Sequence, residues 1–186
     1  MPSPLLVEFT GGSVGRYVVQ ETRCVAGEGL PAVPRLEVRE GIAASAPPSF
    51  GSWSLRGVTS HQRYVERAEG ERLRAVQAGL GRSEATLAVM IPIRKSAAWW
   101  DLAQDERRAI FEDKSRHIAD TMKYLPAVAR RLHHARDLGG PFDFVTWFEL
   151  APEHTSLFDD LLSVLRATEE WRYVEREVEL RLIREG

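Results

Sequence analysis

The chain has 186 residues, 44% of them apolar and 28% charged, enough for one core without disulfide or metal staples. Its 25 basic and 27 acidic residues leave a formal net charge of −2, so no global field favours nucleic acid or an anionic membrane. Cys24, the single cysteine, excludes an internal disulfide and any cysteine-based zinc site.

The opening MPSPLLVEFTGG lacks the basic start and apolar core of a secretory signal, and no apolar run approaches the ~20 residues that span a bilayer. The expectation is a cytoplasmic protein with neither membrane nor nucleic-acid partners. Residues 5–9, 16–24 and 34–38 read as short strands, punctuated by Gly11-Gly12, Gly27 and Gly29. Residues 44–52, with two consecutive prolines, read as a loop. A strand over 53–64 follows, then a helix over 67–80 whose stripe is Leu73, Val76, Gln77 and Leu80. Residues 85–94 (ATLAVMIPIR) form a strongly apolar strand in which Pro92 calls for an edge, an end or a bulge.

A long helix is predicted from about 103–105 to 124, ended by Pro126. Next come a strand in ARRLHHAR, a turn in DLGGP and a strand in FDFVTWFEL. An amphipathic helix over 153–168 and a last strand over 171–183, charged at alternate positions, complete the order. From the strand at 85–94 onward this is β-α-β-β-α-β, the ferredoxin-like order. The predicted architecture is a single α+β domain over 1–186. Residues 1–95 form a shortened first half and 96–186 a second half, their antiparallel sheets curled into a barrel with helices outside. The space between sheet and helix suits a flat apolar ligand.

Three residues could make one reactive centre. His117, on the long helix, is a potential metal or haem ligand if its second nitrogen meets an acceptor. Arg130 could hold an anion, and Glu170 could orient the histidine. Each also has a plainer reading: a solvated helix face for His117, an edge arginine paired to an acid such as Asp137 for Arg130. Strand alternation puts Arg130 with Leu132 and His134, and Arg131 with His133, on opposite faces. His133 and His134 therefore cannot chelate one metal and read as structural or surface residues. Trp99-Trp100 reads as a staple at a helix entrance or as a cofactor wall. Lys95 and Tyr64 read as surface or edge residues, or as partners of ligand carboxylates. Walker, GxGxxG, GxSxG and HExxH motifs are absent.

From SWSLRGVTSHQRYVER to the C-terminus the chain resembles the chlorite dismutases, specifically their short and generally dimeric branch. The strongest stretches are PIRKSAAWWDLAQDERRAIFEDKSRHI, YLPAVARRLHHARDLGGPFDFVTWFEL and RATEEWRYVERE. The resemblance implies haem b with His117 as proximal iron ligand, and Glu170, or neighbouring Glu169, as that histidine's partner. It makes Arg130 the distal arginine and sets Trp99 and Trp100 near the haem. Tyr64, Ile91 and Lys95 fall at propionate-contact positions, and Gln77, Thr146 and Phe148 at distal-pocket positions. The implied activity is conversion of chlorite into chloride and dioxygen, through ferryl haem and transient hypochlorite that Arg130 confines. A homodimer acting on chlorite or similar small anions is expected. The alternatives are a related haem peroxidase or coprohaem decarboxylase, a branch that typically lacks the distal arginine, and a haem-binding protein without turnover.

Overall fold

The computed structural model describes residues 5–41, 51–59, 78–116 and 121–185. Eight strands dominate the described residues: β1 (Leu5–Gly12), β2 (Tyr17–Ala26), β3 (Arg35–Glu40), β4 (Gly51–Thr59), β5 (Leu87–Lys95), β6 (Ala129–His134), β7 (Phe144–Leu150) and β8 (Val174–Arg184). They pair antiparallel in the cyclic order β1-β3-β2-β8-β5-β7-β6-β4 and close on themselves. The fold is an α+β barrel, with the strand order β2-β3-β1-β4 in the first half and β8-β5-β7-β6 in the second.

Period-two alternation sorts the side chains. Phe9, Leu36, Met90, Trp147 and Leu180 fill the barrel interior. Val89, Ile91 and Phe148 face outward and pack under Phe158, Leu161 and Leu165 of the helix Thr155–Arg166. Two seams are thin. β2 meets β3 through Tyr17↔Leu36 and Val18↔Arg35, and β4 meets β6 through Val58↔His134. The barrel thus behaves as a five-stranded and a three-stranded sheet closed over one core. Gly57 makes the second seam possible, because a Cβ there would lie 2.5 Å from the His133 Cβ.

The described helices, in chain order, are α1 (Ala97–Asp101), α2 (Gln104–Arg108) and α3 (Thr155–Arg166). The alternate charges of β8 do not face water as a solvated strand would. Glu177 and Glu179 are wholly buried against α3, where Arg166 holds both at 2.5 and 2.6 Å. Arg181 adds a bond to Glu179, so the carboxylates dock the helix. No described helix is long and apolar enough to cross a membrane.

Four expectations need correction. The long helix expected from 103–105 is not regular: α2 spans Gln104–Arg108, then passes into a π-helical turn over Ala109–Lys114, and Arg116 turns left-handed at φ +48°. Met122–Tyr124 is a 3-10 turn. The last strand starts later than its pattern suggests, because Glu170–Tyr173 is a 3-10 turn and only Val174–Arg184 is extended. Pro92 sits inside a strand flanked on both sides, not at an edge or end. On the β8 side the register goes from Met90↔Leu180 to Ile93↔Glu177 with Ile91 and Pro92 unpaired, which accommodates the missing N–H. Gly51 and Ser52, expected in a loop, already belong to β4. The helix expected over 67–80 lies outside the described residues up to 77, and residues 78–80 are not helical.

Candidate functional site

The outer faces of β5, β7 and β6 form a floor of three rows. Cross-strand register aligns Val89, Phe148 and Arg130 in the first row, Ile91, Thr146 and Leu132 in the second, and Ile93, Phe144 and His134 in the third. Alternation puts all nine side chains on one face. Helix α3 covers the first row at Phe148 through Phe158, whose rings meet edge-on at 5.1 Å. In the second row Leu132 is 40% exposed although it lies in a sheet face. Thr146 beside it is nearly buried and adds a hydroxyl to an otherwise apolar row.

Arg130 enters this face half-buried beside Phe148. Burial pushes its guanidinium pKa below the ordinary arginine value, so the cation is poorly solvated yet still charged. Arg131 points the other way and pairs with Glu40 at 2.5 Å, not with Asp137. His133 is buried in the barrel interior, its Nδ1 2.9 Å from the Val145 carbonyl and its ring edge-on to Phe9. Desolvation drives its pKa to about 4, so it is a neutral core residue. His134 packs edge-on against Phe144. Neither is set up to chelate with the other.

At one end of the floor, β5 bulges between Arg94 and Lys95, and Lys95 turns inward. Its ammonium is buried and donates to Glu170 Oε1 at 2.8 Å and to the Glu170 carbonyl at 3.3 Å. The same ammonium stands 4.6 Å from the Trp99 ring centroid. Lys95 is therefore not the surface residue its sequence position suggests, since its charge is satisfied by a buried carboxylate. Glu170, only 6% exposed, also receives support at its backbone, where its N–H donates to Ser115 Oγ at 3.0 Å. Glu169 is the outer of the two glutamates and faces Lys114 at 3.4 Å near the surface.

Trp99 and Trp100 stand within α1, just ahead of α2. Trp99 is buried against Tyr173, and its Nε1 has no hydrogen-bond partner among the described residues. Trp100 stacks on Phe144 and is capped by Arg136, whose guanidinium carbon lies 3.9 Å from its ring centroid. Asp143 organises this corner, a role that was not picked out from the sequence. Its Oδ2 accepts from Lys95 N at 2.8 Å and Trp100 Nε1 at 3.2 Å, while Oδ1 accepts from Arg136. The available signal was an acid embedded in the apolar run FDFV, where burial requires partners. Ser115 was also missed, and nothing in its local sequence marks it.

The structure thus gathers Ile91, Thr146, Phe148 and Arg130 on one floor, and Lys95, Glu170 and Trp99 in an adjoining cluster, with Trp100 at the corner. His117, Tyr64 and Gln77 lie outside the described residues. Ser115, two positions before His117, ties that part of the chain to Glu170.

Comparison with known proteins gives a consistent result. The chlorite dismutase family profile matches residues 45–184. A curated chlorite dismutase from Ideonella dechloratans is 29% identical over 152 residues, covering 75% of this chain and 51% of that protein. The chain therefore spans about half the length of that relative. Among solved structures, a dimeric chlorite dismutase from Nitrobacter winogradskyi is 60% identical with a TM-score of 0.89, over 96% of this chain and 99% of that one. The chlorite dismutase from Candidatus Nitrospira defluvii in complex with imidazole shares the fold at 21% identity and a TM-score of 0.70, over 97% and 91%. On the family match and the similarity along nearly its whole length, the chain belongs to the chlorite dismutase family.

Proposed function

We propose that the protein is a haem b-dependent chlorite dismutase, converting chlorite into chloride and dioxygen, and that it works as a homodimer. One observation carries the reading: a half-buried, poorly solvated Arg130 stands on an apolar sheet face beside Phe148, within a chain 60% identical to a dimeric chlorite dismutase. Each half of the barrel is then one ferredoxin-like unit, supported by the equivalent strand orders β2-β3-β1-β4 and β8-β5-β7-β6.

The residues fit the group. A flat macrocycle needs an apolar face, and the exposed Leu132 is the position it would cover, beside Thr146 and next to Ile91 and Phe148, which lie buried under α3. The buried indole N–H of Trp99 matches a ligand carboxylate, as would Tyr64. His117 is the proposed iron ligand and Glu170 its partner. The bond from Glu170 N to Ser115 supports Glu170 over the outward Glu169. Lys95 then acts through Glu170, holding its carboxylate, and not on a propionate. Haem, when bound, supplies the iron centre for oxygen transfer from chlorite. Arg130 would attract the chlorite anion and keep it, and the anion derived from it, on this face. It serves as a fixed charge and not as a base. Thr146 and Phe148 would bound the space in which that anion stays, and the resemblance gives Gln77 the same role.

An oxygen electrode tests this directly: haem-reconstituted protein should release dioxygen on chlorite addition. Reconstitution without oxygen release would leave a haem carrier, peroxidase or coprohaem decarboxylase. His117→Ala should lose haem affinity and the parent's visible spectrum. Retention of both in that variant would refute the ligand assignment.

A further inference from the structure

We infer that Ser115 is a positioning residue, fixing the register between Glu170 and the chain segment that carries His117. The inference rests on the assignment of those two residues above. Ser115 is 7% exposed, and its Oγ accepts the Glu170 N–H at 3.0 Å. That N–H lies at the start of the 3-10 turn Glu170–Tyr173, where a backbone donor has no partner within its own turn. A buried donor of this kind requires an acceptor from elsewhere, and a serine hydroxyl provides one on a short, stiff side chain.

The contact is tied to backbone at both ends. Ser115 N donates to the Ile110 carbonyl at 3.1 Å, a five-residue step that ends the π-helical turn. Arg116 N then donates to the Glu112 carbonyl at 2.9 Å, and Arg116 turns left-handed immediately before His117. Glu170 is held from the opposite side by Lys95, at its carboxylate and its carbonyl. Lys95 fixes the carboxylate in place, and Ser115 fixes the distance from that carboxylate to the chain two residues before the ligand. The neighbouring Lys114–Glu169 pair cannot do this. Its partners are 55% and 37% exposed at 3.4 Å, and such surface pairs tolerate wide variation in geometry.

Removing the hydroxyl frees one end of this tether. The proposed contact between the His117 imidazole and the Glu170 carboxylate then loses its fixed direction, the histidine becomes a weaker donor, and the ferric state is less favoured. The test uses the full-length haem-reconstituted protein with Ser115→Ala, Ser115→Thr and Glu170→Gln. The expected result is an upward shift of the iron reduction potential and displaced visible bands in Ser115→Ala. The shift should share the direction of Glu170→Gln, be smaller, and be reversed by Ser115→Thr. If Glu170→Gln moves the potential and Ser115→Ala does not, Ser115 only fills space and the inference fails. If His117→Ala and Glu170→Gln both match the parent, the site reading itself fails, and the inference with it. Where Ser115→Ala does not accumulate as folded protein, Ser115→Cys, a weaker acceptor, carries the same readout. An intermediate potential supports the role, and the parent's potential refutes it.

Discussion

Lys95→Met is the sharpest probe of the buried cluster. The change keeps most of the aliphatic stem and removes the ammonium that bonds Glu170 at 2.8 Å and lies over Trp99. Breaking a buried ion pair from one side costs about 3–5 kcal/mol where the remaining charge is left alone. Glu170 keeps its other interactions, so the deficit of Lys95→Met should fall at or below the low end of that range, roughly 2–3 kcal/mol at pH 7. Adding Glu170→Gln should recover most of the loss. Urea unfolding of the full chain measures this. A deficit below about 1 kcal/mol would refute the buried-pair argument.

Two further outcomes are expected. On the proposed role, Arg130→Ala should retain haem but lose about 10- to 100-fold in kcat/KM for chlorite, the equivalent of one charge-assisted hydrogen bond, and bleach sooner. Steady-state rates and total turnovers check it, and unchanged values would assign anion retention to another group. His133, with a folded pKa of about 4, is neutral in the core and protonates more readily when unfolded. Its contribution is complete above the unfolded value of about 6.5 and is lost as pH falls toward 4, about 2 kcal/mol of it between pH 7 and 5. His133→Gln should remove that component from the denaturation profile. Parallel parent and variant profiles would contradict it.

Strand alternation made much of this legible. It grouped Arg130 with Leu132 and His134, put Thr146 and Phe148 on one face, and denied His133-His134 a shared metal. The positions of Trp99, Lys95 and Glu170 were marked by resemblance, yet their relation to one another was not. Lys95 reads as an ordinary charge until the bulge after Arg94 turns it inward. The alternating acids of β8 look solvated because the arginine that buries them, Arg166, comes from a helix packed across the sheet. Helix periodicity likewise overran the change at Arg108, since Ala109–Lys114 keeps helical composition and only the backbone departs, into a π-helical turn. Long-range partners of charged groups leave no local trace, and these account for most of what the sequence concealed.

The departures from regular structure concentrate at one place. The bulge at Arg94/Lys95, the π-helical turn Ala109–Lys114, the left-handed Arg116 and the 3-10 turn Glu170–Tyr173 come from three separate parts of the chain. They are connected by Lys95–Glu170 and Glu170–Ser115, so each irregular backbone is held by another. Regular elements would have been more favourable individually, because π-turns and left-handed non-glycine residues are both disfavoured. What the irregular arrangement gains is aim. A bulge redirects Lys95, a short turn presents the Glu170 amide and carboxylate together, and the end of the π-turn delivers Ser115 to that amide. The regular barrel supplies the floor that carries Arg130, while the broken segments bring the charged cluster to the edge of that floor.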